Sequence, residues 1–208
     1  MRVLHRITGS IFISSGIKTT DFHRLLAALI LLCSKTAFAE FPLDQLMQGF
    51  ARTDKVQARF EEQKTLALLE TPLVLSGTLT YRAPDYLKKQ VDQPRYSLFE
   101  IEGNHLRIAD GVNERSISLD RHPAIRAFAE AYRATLAGDR ATLERYYEVW
   151  PSGTQANWQL LLVPKADSAR EFIQHIRLSG MGARIGAVET LETSGDLSLM
   201  TIFTNVVE

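Results

Sequence analysis

Leu73-Val74-Leu75-Ser76-Gly77-Thr78-Leu79-Thr80-Tyr81-Arg82 is the stretch on which the fold turns. Leu73, Leu75, Gly77, Leu79 and Tyr81 alternate with Val74, Ser76, Thr78, Thr80 and Arg82. A period of two sustained this long is a β-strand with one buried face. The same period precedes it, where Val56, Ala58 and Phe60 alternate with Gln57, Arg59 and Glu61. It returns in a hairpin. Phe99 and Ile101 lead into Glu102-Gly103-Asn104, and Leu106 and Ile108 lead out. Asp110-Gly111 and Asn113 mark a further turn before Ile117 and Leu119. Later strands are expected over Trp158 to Val163, Phe172 to Leu178, Arg184 to Glu192 and Leu197 to Phe203.

Two segments carry the helical period instead. Leu43, Leu46, Met47 and Phe50 form one face of an opening helix over Phe41 to Ala51. Ile125, Phe128, Tyr132 and Leu136 form a stripe over Pro123 to Leu136, and Gly138 ends it. A short second helix is expected over Thr142 to Tyr147. No Pro/Gly/Ser linker divides the chain, so it reads as one domain. The class is α+β, mainly antiparallel β. Many short strands joined by turns imply a sheet that curls or closes. A sandwich, or a barrel with helices over its mouth, satisfies the pattern equally.

The front of the chain reads differently. Arg24 precedes the uncharged run Leu25 to Cys33, and Ala37-Phe38-Ala39 follows. That is the basic, apolar, A-x-A order of a signal peptide, which places 1–39 in an export segment and 40–208 in the mature domain. The run is shorter than the roughly 20 residues of a membrane span. Lipidation of Cys33 would tether the product, but Leu32 stands where lipoprotein signals place a small residue, so cleavage after Ala39 is expected. Positions 1–39 hold five basic residues and one acid, leaving 19 Lys+Arg and 23 Asp+Glu of the 24 and 24 in the whole chain, a formal −4. No cysteine remains, so neither a disulfide nor a Cys-ligated metal supports the mature chain. The charge balance makes no case for nucleic acid.

No catalytic grouping stands out. His105, His122 and His175 form no H-x-x-x-H pattern, and there is no G-x-S-x-G elbow. Gly180-Met181-Gly182 reads as a strand turn. Glu61 and Glu62 are adjacent, so on a strand they face opposite ways and cannot act as a pair; they read as solvated charge. His175 reads as a surface histidine. The chain is expected to be a binder rather than an enzyme, and its ligand must be sought on its apolar face.

The order of motifs is distinctive. Phe60-x-x-Gln63 follows the first helix, then Gly77-Thr78-Leu79-Thr80-Tyr81-Arg82-Ala83-Pro84, the Asp110-Gly111 turn, a mid-chain helix and Trp158-x-Leu160-x-Leu162-x-Pro164. Phe172-Ile173-x-x-Ile176-x-Leu178 and Glu192-x-x-Gly195-Asp196 come last. Over nearly all of the mature chain this resembles the LolA family of periplasmic lipoprotein carriers, most closely its divergent LolA-like branch. The resemblance implies an incomplete, half-open antiparallel β-barrel with an α-helical lid, acting as a monomer in the periplasm of a Gram-negative cell. It implies a shuttle that binds the acyl chains of lipoproteins, or another acylated lipid, with no metal or organic cofactor. Cargo would come from an inner-membrane exporter and pass to an outer-membrane LolB-like acceptor. A lipid-sensing regulatory or membrane-tethered receptor module of the same fold is the alternative. On strand parity and the resemblance together, Leu79, Tyr81, Phe99, Ile101, Leu106, Trp158, Leu160 and Leu162 are the candidate cavity walls. Ile125, Phe128 and Tyr132 are the candidate lid contacts. The family's best-known carriers place an Arg directly before the Pro of the second strand. Here Ala83 stands there, and Arg82, the candidate lid-closing group, is one residue earlier, which points it to the opposite face.

Overall fold

The computed structural model describes residues 43–204, and the signal-peptide and Cys33 readings lie outside these described residues. An opening helix, α1 (Leu43–Phe50), leads into β1 (Lys55–Thr65), β2 (Leu73–Arg82), β3 (Tyr86–Gln93), β4 (Ser97–Glu102), β5 (His105–Ala109) and β6 (Glu114–Ser118). A 3₁₀ turn at Leu119–Arg121 precedes α2 (Pro123–Ala137) and α3 (Arg140–Tyr146). Then come β7 (Tyr147–Thr154), β8 (Asn157–Pro164), the one-turn α4 (Asp167–Arg170), β9 (Ile173–Met181), β10 (Arg184–Glu192) and β11 (Leu197–Phe203).

All eleven strands form one antiparallel sheet in the order β6-β5-β4-β3-β2-β1-β11-β10-β9-β8-β7. Sequence neighbours pair as hairpins, and the one non-local pairing, β1 with β11, joins the two halves. The end strands β6 and β7 do not pair with each other, so the barrel stays open. The chain must nevertheless pass from β6 to β7, and it does so through α2 and α3. The helices therefore cross the side that the sheet leaves open.

The chain's own turns fix that crossing. Pro123 starts α2 at a position where a missing N–H costs nothing. Gly138 ends it at φ 67°, and a Cβ there would sit 2.2 Å from the Met47 carbonyl of α1. Only glycine allows both the left-handed turn and the approach. The Asp139 carboxylate then accepts from the Thr142 amide at 2.9 Å and caps α3.

Two apolar clusters result. The larger packs Leu43, Leu46, Met47 and Phe50 of α1 and Ala131 and Ala134 of α2 against Phe60, Trp158, Leu160, Leu162, Ile176 and Leu178. The smaller joins Leu106, Leu119 and Ala129, flanked by Ile101, Ile117 and Ile125. The strand expectations agree with this sheet except in three places. β3 and β7 were not foreseen, and Phe172, expected to begin β9, lies before it and is exposed.

Candidate functional site

A cavity of about 930 Å³ lies between the inner face of the sheet and α2. That is the upper part of the range for small-molecule sites. From the sheet it is lined by Val56 and Ala58 of β1, Leu79 and Tyr81 of β2, Leu87 of β3, Phe99 and Ile101 of β4, and Leu106 of β5, and on the other side by Ile185 and Val188 of β10 and Met200 and Ile202 of β11. From α2 come Ile125, Phe128, Ala129, Tyr132 and Leu136. These helix positions recur every three or four residues, so one stripe of α2 faces the cavity. The ring of Phe128 packs edge-on to that of Tyr132, with centroids 5.1 Å apart. Phe128 remains 37% exposed, which places it at the mouth.

One stretch of wall is charged. Glu62 of β1 is only 4% exposed, and Lys64 and Lys89 line the same cavity. The Lys89 ammonium donates to Glu62 Oε2. Ser198 Oγ donates to Glu62 Oε1 at 2.6 Å, and Lys64 Nζ stands 3.8 Å from that oxygen. Burial raises the Glu62 pKa, but the charge of Lys89 and the hydrogen bonds from Lys89 and Ser198 outweigh it and hold the carboxyl below its usual value. Burial has the upper hand at Lys89, whose pKa is lowered despite the favourable charge of Glu62. The Tyr132 phenol of α2 stands over this wall. Its burial, against a hydrogen bond with Thr190, pushes it up to about 12, and the charge of Glu62 adds to that rise.

Gly77 makes the ion pair geometrically feasible. Lys89 pairs across β2 with Leu79, and Glu62 pairs across β2 with Leu75. Gly77 is the position between them on that face, and a bulge interrupts the β2–β3 register beside it. A side chain there would stand in the path of the lysine, and its Cβ would meet the Gln90 carbonyl oxygen at 1.9 Å.

Helix α2 is fastened to the β4–β5 turn by its own arginines. Arg126 Nη2 donates to Asn104 Oδ1 at 2.9 Å and lies 2.7 Å from Asp120. Arg133 pairs with Glu130 on the helix and donates to the Gly103 carbonyl. On the other side, Tyr147 Oη donates to the Ala127 carbonyl at 2.8 Å. Among the described residues no group of His, Cys, Asp or Glu is arranged to hold a metal ion. No helix of the described residues is long and apolar enough to cross a membrane.

Residues 36–205 match the family model described as "Outer membrane lipoprotein carrier protein LolA-like". The chain belongs to this LolA-like family. No curated protein sequence matches it. Solved structures similar to it include a LolA superfamily protein from Nitrosomonas europaea, 11% identical with a TM-score of 0.43, the match covering 76% of this chain and 89% of that one. Lipoprotein LppX of Mycobacterium tuberculosis is 10% identical with a TM-score of 0.42, covering 80% and 96%. A DUF1329 family protein from Desulfovibrio piger is 9% identical with a TM-score of 0.43, covering 80% and 92%.

Against the LolA-like expectation, the structure gathers Leu79, Tyr81, Phe99, Ile101, Leu106, Ile125, Phe128 and Tyr132 around one cavity. It corrects the rest. Trp158, Leu160 and Leu162 face inward as parity requires, but they do not line the cavity. Each is 0% exposed in the larger core cluster, because α1 fills the space over β8. Trp158 packs edge-on to Phe50 and donates from Nε1 to the Gly182 carbonyl at 2.7 Å. Arg82 is exposed and stacks on the Tyr86 ring at 3.8 Å, with no hydrogen bond to α2 among the described residues. The one-residue step puts it outside, and the polar fastening comes instead from Arg126 and Arg133 of the helix. Glu62 is not solvated charge. It faces inward because Phe60 does, two residues away on the same strand.

Proposed function

We propose that this LolA-like protein is a carrier that takes the hydrocarbon chain of an acylated lipid or lipoprotein into the cavity beneath α2. The observation that supports this most directly is the cavity itself. It is walled by apolar side chains of β1 to β5, β10 and β11, and covered by a helix that crosses the barrel's open side. An exposed chain of around sixteen carbons costs on the order of 12 kcal/mol at about 0.8 kcal/mol per CH₂. A carrier must offset most of that and still release the chain. A cover that can shift gives two states whose balance the cargo sets.

The export signal read at 1–39 supports a periplasmic setting. The family description supports lipoprotein as cargo. On this reading a monomer takes it from an inner-membrane exporter and passes it to a LolB-like acceptor. Delipidated protein should take up a fluorescent fatty acid at one site. Phe128→Asp puts a charge at the mouth of the cavity on a part-exposed position, so it should fold normally and lose uptake at least about tenfold, since an uncompensated charge in an apolar site costs several kcal/mol. Uptake unchanged by Phe128→Asp and by Leu79→Asp would place the lipid elsewhere and end the proposal.

A further inference from the structure

The charged wall made by Glu62, Lys64 and Lys89 is not needed by a cavity that holds hydrocarbon alone. Buried ion pairs are commonly no more stable than apolar residues of similar volume. Burial of Lys89 works against its ammonium, so this wall contributes little to the fold that Leu or Met would not. Its unused valences are all donors. Both oxygens of Glu62 are engaged, Oε2 by Lys89 and Oε1 by Ser198. Lys89 spends one of its three donors on Glu62, and Lys64 makes no hydrogen bond among the described residues. Two ammonium groups face one satisfied carboxylate, which leaves a surplus positive charge at the edge of an apolar space. Arg184 and Glu192 also border the cavity, but both are exposed, where water screens them. The wall runs into the apolar lining without a break. Leu79 pairs with Lys89, and Phe99 lies directly across from Lys89 on β4.

Building on the carrier reading, we propose that the cargo is an anionic amphiphile whose head lies inside the barrel. Its carboxylate or phosphate oxygens accept hydrogen bonds from Lys64 and Lys89, and its chain runs under α2 past Leu79, Phe99 and Phe128. Ser198 and Glu62 hold the Lys89 ammonium in place, and Gly77 leaves the path open. Glu62 thus acts as a positioning residue, and the two lysines make the contact.

Calorimetric titration of the delipidated full chain separates the contributions. Oleate, oleoyl lysophosphatidate and monooleoylglycerol carry one chain and differ in the head. Both anions should bind at least about tenfold more tightly than monooleoylglycerol, about 1.4 kcal/mol. The charge-free variant Glu62→Gln/Lys64→Gln/Lys89→Met should bind all three alike, with its affinity for monooleoylglycerol retained. Lys64→Gln alone, at a part-exposed position, should already narrow the preference. Whichever anion binds more tightly identifies carboxylate or phosphate as the preferred head. Equal binding of the three ligands by the wild type would overturn the inference while leaving the carrier reading standing. Failure to bind any of them would remove both.

Discussion

Lys89→Met leaves Glu62 inside the barrel without its strongest partner. The Glu62 side chain is 5% exposed and retains only Ser198 and the more distant Lys64. Removing one partner of a buried pair costs about 3–5 kcal/mol. Lys89 is itself 25% exposed and Lys64 can approach, so a cost just below that range, about 2–3 kcal/mol, is expected here. Glu62→Gln/Lys89→Met removes both charges and should be near neutral, or stabilising by about 1 kcal/mol or more. With a urea m-value of about 2 kcal/mol/M, the single variant's midpoint falls by about 1–1.5 M and the double variant's does not fall. Reversible urea unfolding, followed by the fluorescence of the buried Trp158, reads both. A Lys89→Met protein as stable as wild type would show that the pair is not truly desolvated. A double variant as unstable as the single one would show that the pair is there to hold the fold, and the argument for a headgroup wall would lose its basis.

Other predictions concern the acid limb, the cover and the turns. Glu62 has a folded-state pKa below its unfolded value. Its contribution is therefore present above the unfolded value and is lost as pH falls through the lower folded one; Glu62→Gln should lack that part of the acid loss in a pH series of urea midpoints. The Tyr132 phenol, pushed up to about 12, should stay protonated at pH values where exposed tyrosines ionise, so wild type and Tyr132→Phe should give the same phenolate absorbance near pH 11 while folded. Arg133→Met removes the bond to the Gly103 carbonyl, and amide exchange in the turns of α2 around Arg133 should speed up with little change in β8 or β9. Gly138→Ala should cost more than the roughly 1–2 kcal/mol of left-handed strain because its Cβ meets α1, whereas Gly182→Ala, at φ 55° with open space around it, should cost only the strain.

The alternation rule located eight of the eleven strands, because those eight carry apolar residues at alternating positions, and β6, with Ile117 as its one apolar residue, was placed only by the Asp110-Gly111 turn before it. β3 escaped it for a reason tied to the site. In Tyr86-Leu87-Lys88-Lys89-Gln90-Val91-Asp92-Gln93 the inward positions are Leu87, Lys89 and Val91, so the charge that gives the cavity its polar wall also breaks the pattern that would reveal the strand. β7 is an edge strand, where Pro151 and an outward-facing Trp150 are tolerated and the period blurs. Parity told which residues face inward but not what lies opposite them. Leu79 and Leu160 read alike in the sequence; only the placement of α1 over β8 makes one a cavity wall and the other core. Glu62 was legible in principle, since Phe60 and Glu62 share a face, but a lone carboxylate on a strand is ordinarily solvated. The arginines that fasten α2 could not be assigned because their partners, Gly103 and Asn104, lie in a turn more than twenty residues away.

Photo-crosslinking with a diazirine-bearing fatty acid, followed by peptide mass spectrometry, tests whether hydrocarbon enters the cavity beneath α2. One label per chain is expected, on the strand segments that carry Leu79 and Phe99 and on the α2 segment that carries Phe128, with labelling suppressed by unmodified oleate. Labels confined to the outward-facing apolar residues, such as Leu68, which is 97% exposed, or Trp150, would contradict it.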